Sequence, residues 1–165
     1  IKGSDAVFRS KEQMEIYLKV LEENDRRAVI DRLVYIGSQI SNEEMANLYH
    51  CSDAYVCPYL CEGFNIPALE AAACGLPVIY TKGGPTDEFL DPSYHLSITS
   101  TEDITDDGAH YLNPDFNDLV LQMISAIESK TAHRERAEFF APRLVETHSW
   151  DSVVNKLLLE IKSRC

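Results

Sequence analysis

Three short apolar runs, each bounded by turn residues and separated by helical patterns, limit what this chain can fold into more than any other feature. They are Leu33-Val34-Tyr35-Ile36, Ala54-Tyr55-Val56-Cys57 and Pro77-Val78-Ile79-Tyr80. Strands that alternate with helices are joined by crossovers, and crossovers make a parallel α/β sheet with helices on both faces. Ile1-Lys2-Gly3 reads as the end of one more strand and Leu96 to Thr99 as another, so a sheet of about four to six strands is expected.

The stretches between the strands carry helix signals. Met14, Tyr17, Leu18 and Leu21 form an apolar stripe that predicts one helix over residues 11–23. Ser41-Asn42-Glu43-Glu44 has capping-box spacing, and the helix it opens should run through Tyr49. Residues 66–74 form an Ala-rich helix, with Pro67 as its first helical residue and Gly75 ending it. Glu70 then falls in the first turn, its side chain tilted back toward the strand ends. Downstream come an acidic loop at 102–107, a helix starting at Asn113-Pro114 and running to about 128, and helices near 134–146 and 151–162. Ser149 can cap the last of these. Its stripe of Val153, Val154, Leu157, Leu158 and Ile161 should pack on its own domain, with Trp150 packed at the helix start. No internal repeat or linker divides the chain, so residues 1–165 are expected to form one domain.

Composition removes several function classes. A formal charge of -12 argues against a nucleic-acid groove, which needs clustered Lys and Arg. It also means that any phosphate site here must use backbone amides, a helix N-terminus or cations from elsewhere. No apolar run approaches the roughly 20 residues of a membrane helix. The five cysteines (Cys51, Cys57, Cys61, Cys74, Cys165) are odd in number and lie mostly in apolar stretches, which fits a reducing, cytoplasmic setting. Cys57 and Cys61, or His50 beside Cys51, do not complete a zinc ligand set, so no metal is expected. His50, His95, His110, His133 and His148 are scattered as surface or packing residues, with no hydrolytic triad.

The chemistry concentrates in Glu62-Gly63-Phe64-Asn65-Ile66-Pro67-Ala68-Leu69-Glu70, which follows a strand and opens a helix. Open α/β sheets bind ligands at that place. Gly63 allows close backbone approach, and amides near Asn65 and Ile66 sit at a helix N-terminus that favours an anion such as a diphosphate. Carboxylates accept strongly from hydroxyl donors, so Glu62 and Glu70 suit a sugar or ribose. Spacing alone equally allows Glu70 to complement its helix dipole and Glu62 to be a solvated loop residue.

The segment resembles the Glu, seven residues, Glu motif of family 4-type retaining glycosyltransferases, commonly Glu-Gly-Phe-Gly-x-Pro-x-x-Glu. The flanks are similar too: Ser52 to Pro58 before it, Ala71 to Ile79 after it, Gly83-Gly84-Pro85-Thr86-Asp87 in place of Gly-Gly-x-x-Glu, and Tyr35-Ile36-Gly37 with Ser41 to Tyr49 upstream. The resemblance implies the donor-binding, C-terminal half of a GT-B fold, a Rossmann-like parallel sheet, beginning inside a larger protein whose acceptor-binding N-terminal domain lies elsewhere. It implies that Glu62 binds the donor sugar and is the catalytic-site residue. Gly63, Phe64, Asn65 and Ile66 would bind sugar and phosphates, Glu70 the ribose, and Gln39 and Ile40 the base. Asn65 departs from the usual Gly, and its amide would contact the sugar or narrow the pocket. The family's phosphate-binding Arg and Lys would lie upstream of Ile1, with Lys82 a candidate substitute. The implied partner is a nucleotide-diphosphate sugar, with no cofactor, and the isolated half is expected not to complete transfer. The full-length protein is expected in the cytoplasm or at the cytoplasmic face of a membrane. The competing reading is a non-catalytic nucleotide-sugar-binding or scaffolding subunit of the same fold.

Overall fold

In the computed structural model, β1 (Tyr55–Cys57), β2 (Val78–Thr81) and β3 (Leu96–Ile98) pair in parallel in that order, with Val56 opposite Ile79 and Ile79 opposite Leu96. The structure describes residues 1–164, with the side chains of Val7 and Phe8 left aside, so Cys165 lies outside the described residues. It divides into two units, Ile1–Glu44 and the chain from Met45 onward.

The second unit holds the sheet and the core. Val78 and Tyr80 of β2 face one side and Ile79 faces the other, as the two-residue period of a strand requires. All four residues of β2 are buried, which is what a central parallel strand covered on both faces needs. On the Val78 side lie α5 (Ile66–Ala73) and α7 (Lys130–His148), which contribute Ala68, Ala71, Ala72, Phe140 and Leu144. On the Ile79 side lies α6 (Phe116–Glu128), which contributes Ala126 and Leu119. Helices on both faces of a parallel sheet are as expected.

The first unit departs from expectation. The run Leu33 to Ile36 forms no extended strand but a single parallel bridge, Lys2 to Ile36, with bonds from Gly3 N to Ile36 O at 3.0 Å and from Ile36 N to Ile1 O at 2.9 Å. The hydrogen-bonded parallel sheet therefore has three strands among the described residues, fewer than four. The single helix expected over 11–23 is two, α2 (Ser10–Leu18) and α3 (Glu23–Ile30), preceded by the short α1 (Asp5–Phe8). Val20 and Leu21 donate to Tyr17 and Leu18, three residues back, which tightens and ends α2. Of its stripe, Met14 and Leu18 are half-buried and Tyr17 and Leu21 exposed. The capping box is formed at the start of α4 (Asn42–His50): Glu44 N donates to Ser41 Oγ at 3.2 Å and Ser41 N to Glu44 Oε2 at 2.7 Å.

Two further expectations are corrected. The acidic stretch is an antiparallel hairpin, β4 (Ser100–Ile104) and β5 (His110–Pro114), so Asn113 and Pro114 end a strand. The helix after them starts at Phe116 with Asp115 as cap, its side chain accepting from Asp118 N. In α8 (Trp150–Ser163) the Ser149 cap is present, yet no residue is buried and Trp150 is 84% exposed. Its apolar stripe therefore does not pack into this unit. No helix among the described residues is long and apolar enough to cross a membrane.

Candidate functional site

The parallel strands end at Cys57, Thr81 and Ile98, and the loop carrying Glu62 leaves the first of these ends. Asn65 closes that loop with φ 69° and ψ 61°, a left-handed conformation in which Gly and Asn are the residues normally found. Its Oδ1 accepts from Ala68 N at 3.2 Å, so Asn65 is the N-cap of α5, and its side chain is buried, not projected toward a ligand. A glycine would satisfy the backbone alone, whereas asparagine satisfies the backbone and one orphan amide of the helix. Asn65→Ala should therefore lower stability by about 2 kcal/mol, through the lost cap and the left-handed strain, and Asn65→Gly by only a few tenths. Urea unfolding of the two variants checks this.

The cap at Asn65 makes Ile66 the first helical residue and Pro67 the second. Glu70 is therefore the fifth and stands in the second turn, not the first as expected. It is exposed, and Tyr49 Oη donates to its Oε2 at 3.3 Å. Tyr49 is itself buried and packs edge-on against Tyr55, ring centroids 6.0 Å apart. Glu62 is exposed on its loop and accepts from Gly63 N at 3.2 Å.

Tyr55, at the start of β1, has its phenol raised to about 12, first by burial and then by charges that include the Glu62 and Glu70 carboxylates. Glu62 precedes and Glu70 lies within α5, the helix that follows β1, eight residues apart in sequence. Burial likewise pushes the Cys57 thiol up to about 12, so it is no thiolate nucleophile near neutral pH.

Gly63 has no positive φ, and a Cβ built on it would meet nothing within 4 Å. The chain bends at Gly63 without a left-handed conformation, and the fold leaves open space beside this backbone. Phe64 lies against Phe89 with ring centroids 5.0 Å apart and planes tilted by 36°, while remaining exposed. At the start of α5, Pro67 has no amide and the amides of Ala68 and Leu69 bond to Asn65 O, so Ile66 N is the first-turn amide without a backbone acceptor. Gln39 and Ile40 belong to the other unit, between the Lys2–Ile36 bridge and α4. Lys82 lines a groove of about 460 Å³ with Gly83, Thr99, Ser100, Glu102 and Leu112, beyond the ends of β2 and β3. A larger groove of about 660 Å³ lies at the opposite end of α5, along Cys74, Gly75 and α7. It holds none of the expected site residues, and its Arg134 is already paired with Glu138 at 2.9 Å. Among the described residues no group of three or more His, Cys, Asp or Glu side chains is placed to hold a metal ion.

Over residues 10–113 the chain matches the family described as glycosyl transferases group 1. The chain belongs to this family. It is 29% identical over 124 residues to an MMP alpha-(1->4)-mannosyltransferase of Mycolicibacterium hassiacum, an alignment covering 75% of this chain and 28% of that protein. It is 29% identical over 126 residues to the phosphatidylinositol N-acetylglucosaminyltransferase gpi3 subunit of Schizosaccharomyces pombe, covering 76% and 24%. This group 1 chain thus spans less than a third of the length of either relative. A sucrose-phosphate synthase of Thermosynechococcus elongatus superposes on 99% of the chain and 38% of its own, with TM-score 0.74 and 21% identity. That likeness is one of fold, and it is the GT-B domain that the Glu62-to-Glu70 resemblance implied.

Sequence reasoning missed the tyrosines around the Glu62 loop and Glu70. Tyr49 carries a signal, since it lies one helical turn beyond Met45, and Met45 packs against the same cluster. Tyr55 and Tyr59 sit among apolar residues and read as ordinary core.

Proposed function

We propose that this chain is the donor-binding part of a glycosyltransferase that moves a sugar from a nucleotide-diphosphate donor to an acceptor with retention, the acceptor being held by a part of the protein outside these residues. Glu70 takes the ribose hydroxyls, Glu62 the sugar hydroxyls, and the backbone from Gly63 to Ile66 the sugar and diphosphate. The observation that supports the reading is that the Glu62 loop leaves the C-terminal end of β1 and runs directly into α5, which carries Glu70, with open space beside the Gly63 backbone. Both glutamates serve as hydrogen-bond acceptors in this reading, and the rate comes from holding the donor and stabilising the departing diphosphate. With Ile66 N the remaining amide in the first turn of α5, and a charge of -12 on the chain, neutralisation of the diphosphate falls mainly to cations outside this loop. A cytoplasmic setting belongs to the same reading and agrees with Cys51, Cys57, Cys61 and Cys74 being unpaired.

The test is calorimetric titration with UDP-glucose, GDP-mannose, UDP and GDP. Charge-assisted hydrogen bonds are worth about 1.5–3 kcal/mol, so Glu70→Ala should weaken nucleotide and nucleotide-sugar binding alike by about 10- to 100-fold. Glu62→Ala should weaken only the sugar-bearing ligand, by a similar factor. If both variants stay folded and bind as the parent does, the assignment is wrong.

A further inference from the structure

We propose that Tyr59 is a positioning residue that sets where Glu62 stands, an inference that rests on the donor-binding reading above. Between Pro58 and Asn65 every side chain is exposed except two, Tyr59 and Asn65. Glu62 lies between these fixed points, and Asn65 is held by α5 while Tyr59 is held by the far side of β2.

The bonds at Tyr59 are all buried. Its amide donates to Thr81 Oγ1 at 2.9 Å, its hydroxyl donates to Thr81 O at 2.8 Å, and the same hydroxyl bonds the Thr86 hydroxyl. The ring edge and hydroxyl lie against Gly84, where an added Cβ would come within 2.6 Å of Tyr59 Oη and 2.9 Å of Cε2. Gly84 has φ -116°, which any residue adopts, so what requires glycine there is the approach of Tyr59. One residue further along the loop, Leu60 O accepts from Leu112 N of β5 at 2.7 Å. Tyr59 thus ties the Glu62 loop to the end of β2 and to the Gly84–Thr86 turn, and the hairpin adds a strap beside it.

Sugar recognition by a single carboxylate depends on its position to a fraction of an ångström, and a loop exposed along most of its length does not hold that position by itself. Glu70 has independent support from α5 and Tyr49. Loosening Tyr59 should therefore affect the sugar end of a donor more than the nucleotide end.

Tyr59→Phe removes the hydroxyl and keeps the ring on Gly84. Thr86 Oγ1 retains a bond to Thr81 O at 3.4 Å, so no buried hydroxyl is stranded and the fold stands. Gly84→Ala disturbs the same contact from the other side by displacing the ring. In both variants, binding of UDP-glucose or GDP-mannose, whichever the parent chain takes, should weaken about tenfold, while UDP or GDP, still held by Glu70 and Ile66 N, should weaken clearly less. Tyr59→Phe should cost less in a Glu62→Ala background than in the parent, because the two share a contact. Hydrogen exchange of the amides of Tyr59 and Leu112, which donate to Thr81 Oγ1 and Leu60 O, should quicken about tenfold, with those of Ala72 and Leu76 unchanged.

Equal loss of nucleotide and nucleotide sugar, full additivity with Glu62→Ala, or unchanged exchange at Tyr59 and Leu112 would each overturn the role of Tyr59. The donor reading would survive any of these results provided Glu62→Ala still separates the two ligands. A parent chain that binds neither nucleotide nor nucleotide sugar overturns the donor reading, and the role of Tyr59 in donor binding with it.

Discussion

Leu76→Ala is expected to lower the unfolding free energy by about 2–5 kcal/mol, toward the upper end of that range. Leu76 is fully buried in the cluster between α5, β2 and α7, where Ala68, Ala71, Ala72 and Val78 are also at 0% exposure. It is placed there by the way α5 ends. Leu76 N donates to Ala71 O and Gly75 N to Ala72 O, both at 3.0 Å, with Gly75 at φ 71°, and this paired arrangement turns the chain from the helix straight into β2. The alanines around the site have no side chain with which to fill a void, so the cavity would persist and most of its penalty be felt. Small domains are stable by about 5–15 kcal/mol, so this one substitution would remove a large share. Urea unfolding measures it, with Val56→Ala, at a strand position 39% exposed, as the control expected to cost well under half as much. Similar midpoints for the two variants would mean that α5 is not seated on the sheet as described.

Much of this second unit is legible in the sequence because its signals are local and agree with one another. Pro77 to Tyr80 is a continuous apolar run, and β2 is buried on both faces. Gly75 is read as a helix stop and has the positive φ of one. The Ser41–Glu44 box and the Ser149 cap need only neighbours three residues away, and both are formed. The hairpin β4–β5 is illegible for a physical reason. From Thr101 to His110 every residue is exposed, so its strands bury no face and impose no alternation on the sequence. Acidic composition reads as a loop, whereas five register pairs of backbone make it a hairpin. The error at α8 runs the other way: its apolar spacing gives the helix correctly but cannot say what that stripe meets, and in this unit it meets nothing that buries it.

At the candidate site, the motif resemblance singled out Glu62 and Glu70, which spacing alone left open to a structural reading, and the contacts that support them were not legible. The offset of Glu70 into the second turn followed from whether Asn65 or Ile66 caps the helix, and left-handed backbone at Asn65 decided it. Tyr59 acts through Thr81, Thr86 and Gly84, which are 22 to 27 residues away and joined to it only by the β1–β2 pairing. Contacts of that kind leave no periodic trace along the chain.

Stability should fall as the pH drops from about 6.5 to about 4, and His95 should be responsible for a large part of the loss. The imidazole is 4% exposed, between β2 and α7, with Val78 N donating to its Nδ1 at 3.4 Å and Phe140 edge-on at 5.6 Å. An Nδ1 that accepts must be unprotonated, so the proton of the neutral ring sits on Nε2, which has no partner in this buried setting. Protonation would break the Val78 bond and place a charge among apolar groups, and burial accordingly pushes the ring down to about 4, with only Asp91 opposing it. In the unfolded chain the ring takes its proton near 6.5. The folded value is the lower one, so its stabilising effect is fully present above the unfolded value, declines between 6.5 and 4, and is gone below 4. At 1.36 kcal/mol per unit the whole difference is about 3 kcal/mol. His133, bonded to Ser125 and also lowered by burial, acts in the same direction. The lowered carboxyls of Asp91 and Asp118 give up their contribution only below their ordinary value of 3.8, and exposed Glu44, held down by its Ser41 bonds, only below its ordinary value of 4.5, so most of this window is left to the histidines. His95→Asn keeps an acceptor within reach of Val78 N and cannot take a proton there. Its unfolding free energy should therefore vary much less than the parent's between pH 6.5 and pH 4, and parallel pH profiles for the two proteins would show that His95 is not the group that titrates.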